Sequence, residues 1–211
     1  MNMTRRCARW PARFAGQGPE AAFAFFDFNH PPPPVPVHIV FCCHALHHAT
    51  DLERTLAFVA GTMHAQSLFI GIEYLGPTRF QIEYDVLPHI RELFALLPLE
   101  LRRNLTRDGV IEDVFTPPTL DEVRRADPSE SVRSSDLRTL LLSGFDIVDI
   151  KPMGGTLLRW LLQYRAGNFR HDDPDHVAIA RLLQTIERQM IERGQIRSDD
   201  LFFVLAPPRQ A

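Results

Sequence analysis

The sequence predicts an α/β fold: a mostly parallel sheet with helices on both faces. Residues 37–43 (VHIVFCC) form a nearly continuous apolar run without alternation, as a strand buried on both faces reads. A helical pattern and a second such run, residues 67–74 (SLFIGIEY), follow within roughly 40 residues. Strand, helix and strand in that order form a βαβ unit, which requires parallel pairing and a right-handed crossover.

Residues 1–20 are basic and carry neither a helix nor a strand period, and they read as an unstructured leader. No apolar stretch follows their charges, so they are not a secretory signal. Residues 22–26 (AFAFF) form a short strand that ends in the polar turn Asp27-Phe28-Asn29. Pro31 to Pro34 make a stiff spacer. Thr50 and Glu53 have the spacing of a capping box, and Leu52, Leu56, Val59 and Met63 continue it as a helix over about 51–63. After Gly76-Pro77, residues 78–104 look helical, with Pro88 kinking or restarting the helix, and 105–130 look polar and irregular. Ser134 or Ser135 caps a short helix that stops at Gly144. Residues 145–150 alternate as a strand, and Leu157 to Leu162 mark a helix. Gly167-Asn168 reads as a helix end with a left-handed glycine. Asp173-Pro174 opens a long helix, Gly194 closes it, and 201–205 (LFFVL) is the last strand. Phe80, Tyr84, Trp160 and Tyr164 read as packing residues.

Composition narrows the function classes. Of 211 residues 45% are hydrophobic and 23% charged, a globular mixture long enough for one buried core. The net charge of −3 gives no reason to expect nucleic acid as partner. No apolar run approaches the roughly 20 residues of a membrane-spanning helix. Three cysteines, two of them adjacent, do not make a disulfide framework, and a reducing cytoplasm fits better.

The densest chemistry is Cys42-Cys43-His44-Ala45-Leu46-His47-His48. Thiolates and imidazoles suit zinc, but neighbouring strand residues face opposite ways, so Cys43 cannot join Cys42 and His44. No metal site is expected from this pattern. A Cys/His metal-binding protein remains one of three function classes, beside an enzyme and a non-catalytic interaction remnant.

The segment has a further reading. A strand, then His44-Ala45-Leu46-His47-His48, a capped helix, and a strand ending in Glu73 resembles the second half of a class I S-adenosylmethionine-dependent methyltransferase. The resemblance continues through Glu73-Tyr74-Leu75-Gly76-Pro77-Thr78-Arg79-Phe80-Gln81 and Asp127-Pro128-Ser129-Glu130. Val132-Arg133-Ser134-Ser135 and Lys151-Pro152-Met153-Gly154-Gly155-Thr156 complete it, over about residues 22–206. It implies a Rossmann-like sheet lacking the first two strands, with residues 21–211 as a partial domain and a helical substrate-side insert at about 78–140. The strand at 201–205 would lie beside that at 67–74, antiparallel to its neighbours. The implied activity is methyl transfer from S-adenosylmethionine to a small molecule. His44, His47 and Glu73 would be catalytic. Asp27, Phe28, Asn29, Cys43, His44 and Ala45 would lie along the cofactor, and Tyr74, Arg79 and Arg133 would face the substrate.

The chain departs from that family where the cofactor is gripped: no Gly-x-Gly turn precedes Asp27, and no ribose-binding acid ends a second strand. Glycines there let backbone approach the cofactor closely. The expectation is weak cofactor binding and an open edge on the strand 37–43, with two readings left open: a truncated reading of a longer enzyme, or a domain that has lost its cofactor half. That edge invites the segment 22–26 or a second copy of the chain.

Overall fold

The computed structural model describes residues 27–208. The expected strand at 22–26 and the leader lie outside them. Four strands form the main sheet: β1 (Val37–Cys43), β2 (Met63–Tyr74), β5 (Asp146–Gly154) and β6 (Asp200–Ala206). A two-residue pair, β3 (Arg103–Asn104) and β4 (Val110–Ile111), stands apart. The helices are α1 (Leu52–Thr62), α2 (Leu87–Leu96), α3 (Leu120–Ala126), α4 (Ser134–Gly144), α5 (Leu158–Leu162) and α6 (Pro174–Glu192).

The sheet order is β1-β2-β6-β5. β1 and β2 run parallel, with Val40 opposite Phe69 and Cys42 opposite Gly71. β6 is antiparallel to both of its neighbours, β2 and β5. The sheet is therefore mixed rather than mostly parallel: one of its three pairings is parallel. The βαβ reading of β1, α1 and β2 holds, as does the place of the last strand.

Helices on both faces are not what the described residues provide over β1. Leu52, Leu56 and Val59 of α1 and Leu137 and Leu141 of α4 pack with Phe69, Leu201, Phe203 and Leu205 into one core on one face. On the other face Ile39 and Phe41 remain 59% and 68% exposed. Chirality explains this. From β1 to β2, and from β2 onward to β5, the chain advances across the sheet in one direction, so right-handed crossovers put both connections on one face. Among the described residues β1 pairs with β2 alone. Gly71 in mid-strand lets the Phe203 ring lie over it; a Cβ there would stand 2.5 Å from that ring.

A second core joins two distant stretches of chain. Ile90 and Phe94 of α2, Leu101 and Phe115 meet Trp160 and Leu161 of α5 and Leu183 of α6. Trp160 is packed as expected, but Tyr84 is 94% exposed and Tyr164 is exposed too.

Several local expectations are corrected. α1 is capped by Asp51, whose side chain accepts the Arg54 N–H, and not by Thr50. The Thr50 hydroxyl donates to Asn29 instead, and Glu53 pairs with Arg133. The capping box lies in the stretch expected to be irregular: Thr119 and Glu122 satisfy each other's backbone donors at the start of α3. Pro88 sits in the first turn of α2, where its missing N–H costs nothing, and the helix expected over 78–104 is confined to Leu87–Leu96, followed by a 3₁₀ turn at Leu99–Arg102 and then β3. Arg133 precedes α4, while Ser134 and Ser135 bond Pro77 and Thr78 rather than cap it. The left-handed residue near Gly167 is Tyr164 (φ 62°), and Gly167 lies in a 3₁₀ turn. Asp173, Pro174 and Gly194 act as expected at the ends of α6. No helix of the described residues is long and apolar enough to cross a membrane.

Candidate functional site at the carboxyl ends of β1 and β2

The site begins with a change of backbone direction. His44, the first residue past β1, takes a left-handed conformation (φ 45°), and its N–H donates to the Ile72 carbonyl oxygen at 2.9 Å. The chain then enters a 3₁₀ turn, Leu46–His48. The turn directs the Ala45 and Leu46 N–H groups at Glu73 Oε2, at 2.8 and 2.7 Å.

Glu73 is fully buried near the end of β2. Its Oε1 accepts the Tyr74 N–H at 2.9 Å and the His47 Nδ1–H. The Cys42 thiol adds a weak donor at 3.7 Å from Oε2. Burial alone would push the Glu73 carboxyl up, but the His47 bond and the two amides of the turn outweigh it and hold it below the usual range. Glu73 is thus an ionised hub with its acceptor capacity taken up. It fixes the His47 ring through Nδ1 and leaves Nε2 as the free nitrogen.

A second loop closes over this hub. Asp127 Oδ1 accepts from the Ser129 N–H and hydroxyl, which shapes the turn. Ser131 is left-handed (φ 48°), and its hydroxyl donates to Glu130 Oε1 at 2.6 Å. The Val132 N–H donates to the His47 carbonyl, and His48 Nδ1 meets the Ser129 carbonyl at 3.2 Å. Glu130 Oε1 then stands 3.6 Å from His47 Nε2. The His47 and His48 rings lie 4.2 Å apart.

The other predicted residues fall into place around this centre. His44 and Cys43 are exposed beside it, and Ala45 is half-buried. Asn29 Oδ1 accepts from the Thr50 N–H, the Thr50 hydroxyl and the Asp51 N–H, tying the 27–30 turn to the start of α1. Asp27 bonds Asn29 and His30 within its own turn. Phe28 is half-buried against the core, and its carbonyl takes the Thr55 hydroxyl. Tyr74 is buried, with its hydroxyl on the Pro77 carbonyl. Arg79 donates to the Pro128 carbonyl at 2.7 Å, which holds the second loop. Arg133 forks onto Glu53 at 2.7 and 2.8 Å and onto Asp136 at 2.9 Å. That pairing holds the exposed Glu53 carboxyl at about 2. Arg133 and Tyr74 therefore have their polar groups engaged within the protein.

The sequence reading met Glu130 only as part of a motif, with no role given to it, and did not single out Arg159, Asp199 or Asp200. Arg159 pairs with Asp200 and lies 5.1 Å over both the Tyr74 and Phe80 rings. Asp199 is buried beside them, and burial first, then the nearby Asp200 and Glu83 against the pull of Arg159, pushes its carboxyl up to about 7. The signal available in sequence was the adjacent acid pair at the start of an apolar strand.

Cys42 and Cys43 behave differently. Cys42 lies against Glu73, and burial together with that charge pushes its thiol up to about 12. Cys43 is exposed on the opposite face. At pH 8 iodoacetamide should modify Cys43 at least about a hundredfold faster than Cys42 by peptide mass mapping, because the thiolate is the nucleophile. Equal rates would contradict the packing of Cys42 on Glu73.

No family model matches the sequence, and no curated protein matches it. Among solved structures, the [4+2]-cyclase SpnF overlays with a TM-score of 0.38 at 10% identity, over 89% of this chain and 56% of that one. A complex from Haloferax volcanii between the Trm112 methyltransferase activator and a chain described there as a methyltransferase gives a TM-score of 0.38 at 18% identity. That match covers 94% of this chain and 66% of the other. The chain thus spans less than two thirds of either neighbour, and overlays this slight carry no argument about what it does.

Proposed function

We propose that this chain is the substrate-side part of a class I methyltransferase domain, acting on a small acceptor at the Glu73–His47 centre. What supports the reading is convergence. The quoted motifs, up to about 80 residues apart, meet at one end of the sheet: Glu73 with Ala45 to His47, His48 with Ser129, Arg79 with Pro128, Thr78 with Ser135. Ligands of open α/β sheets bind beyond the carboxyl ends of the strands, where these motifs lie. The strand order and the antiparallel β6 agree with the resembled sheet.

S-adenosylmethionine, when bound, supplies an electrophilic methyl group on sulfur. The residues present fit one flank of it. Exposed Cys43 and His44 offer a wall at the end of β1, whereas the Asp27 and Asn29 side chains are occupied within the protein. The chain's own contribution is orientation: Glu73 fixes His47, and the 127–131 loop places Glu130 opposite it. An acceptor O–H or N–H seated there has a polar centre at which to lose its proton.

The test is calorimetric titration with S-adenosylmethionine. A dissociation constant weaker than micromolar is expected, because the preorganised contacts of a Gly-rich turn are missing from this sequence. Micromolar binding would mean that another segment supplies them.

A further inference from the structure

We infer that His47, His48 and Glu130 form a site for one divalent transition-metal ion, such as Zn²⁺. One ring nitrogen of each histidine and a carboxylate oxygen of Glu130 lie within 4.8 Å of one another. Tetrahedral ligands with bonds of about 2.0–2.2 Å stand about 3.3–3.6 Å apart, so the His47 Nε2–Glu130 Oε1 pair, at 3.6 Å, is already near that spacing and the remaining ligand has to draw in by about 1 Å.

The stronger argument lies behind the ligands. A metal-bound histidine commonly donates its second N–H to a carboxylate or carbonyl, which fixes tautomer and ring orientation. Both histidines are arranged in this way. Glu73 takes the Nδ1–H of His47. The Ser129 carbonyl can only accept, so His48 Nδ1 carries its proton there and keeps the Nε2 lone pair free. Glu130 is steadied by the Ser131 hydroxyl. Three ligands with three outer partners come from two loops pinned together by the Val132 N–H on the His47 carbonyl, and Arg79 anchors the second loop at Pro128.

A second grouping, His44, His47 and Glu73, has similar spacing. It is excluded because Glu73 already accepts three backbone N–H groups and the His47 ring and has no lone pair to give. The cysteines take no part: Cys42 points at Glu73, and Cys43 is on the far face. Two imidazoles and one carboxylate favour a borderline cation over Mg²⁺ or Ca²⁺, which prefer oxygen ligands. Three protein ligands also leave a coordination position for water or for an acceptor oxygen. The site rests on side-chain placement and stands apart from the methyl-transfer reading. If that reading also holds, the cation is the device that makes the acceptor oxygen acidic, and His47 serves as its ligand.

The experiment titrates the chain with Zn²⁺ against a chromophoric chelator and repeats it with Co²⁺ by visible absorption, with no S-adenosylmethionine present. One equivalent should bind, Mg²⁺ in excess should not compete, and the Co²⁺ spectrum should lack a thiolate charge-transfer band. His48→Asn and Glu130→Gln should each weaken binding by about tenfold or more. Ser129→Ala leaves all three ligands in place and should weaken it less. A thiolate band, no stoichiometric binding, or affinity unchanged in both ligand variants would overturn the proposal.

Discussion

Replacing Glu73 with alanine should cost about 3–5 kcal/mol of folding stability, because several buried donors lose their shared acceptor at once. The loss strands three backbone N–H groups, those of Ala45, Leu46 and Tyr74, and releases the His47 ring. An unpaired buried donor costs about 1–3 kcal/mol, so the effect takes a large share of a typical domain stability of roughly 5–15 kcal/mol. Glu73→Gln keeps the shape but turns an amide NH₂ toward donors, and about 2 kcal/mol or more should still be lost. Urea unfolding of both variants measures this. A loss below about 1 kcal/mol for Glu73→Ala would show that the turn after β1 does not depend on the carboxylate.

The second large effect is on pH dependence. Asp199 has its carboxyl raised to about 7 from an ordinary 3.8, chiefly by burial. Between those two values the unfolded chain has lost this proton and the folded chain retains it. Folding is therefore coupled to proton uptake, and stability falls as pH rises through the window, levelling off above about 7. A shift of this size corresponds to at most about 4 kcal/mol. Asp199→Asn keeps the side-chain size and removes the titration. Its stability advantage over the parent should be absent near pH 4, grow from pH 5 to 7, and be greatest at pH 8. Thermal melts across that range test it; an advantage constant with pH would show that Asp199 titrates as an exposed carboxyl.

Much of the fold was legible because the apolar pattern carries it. The run 37–43, the alternating start of β5 and the 201–205 run each became strands, and the βαβ unit paired as chirality requires. What misled was local chemistry with two solutions. Thr50 and Asp51 both suit an N-cap, and Asp51 won because Asn29, distant in sequence, engages the Thr50 hydroxyl. The length of an apolar run does not reveal whether both faces are covered, which is why β1 read as fully buried. The capping box at Thr119 was present in the sequence but lay in a stretch too polar to suggest a helix.

At the site, the histidines and Glu73 were visible as residue types, and their division of labour was not. That Glu73 would be saturated and buried depends on the left-handed turn at His44, a conformation non-glycine residues seldom adopt. That Arg133 would be neutralised depends on Glu53, 80 residues earlier. Such partners are set by tertiary contact, and no spacing rule in one sequence encodes them.

The most direct measurement of the functional reading is an NMR titration of labelled chain with S-adenosylmethionine at millimolar concentration, followed at the backbone amides and histidine ring protons. Weak binding at the carboxyl end of β1 should move Cys43, His44, Ala45 and the His47 ring, with smaller shifts in the Asp27 to Asn29 turn and none along the amino-terminal end of β2. Shifts confined to the second core around Phe94 and Trp160, or no shifts at saturating ligand, would contradict it.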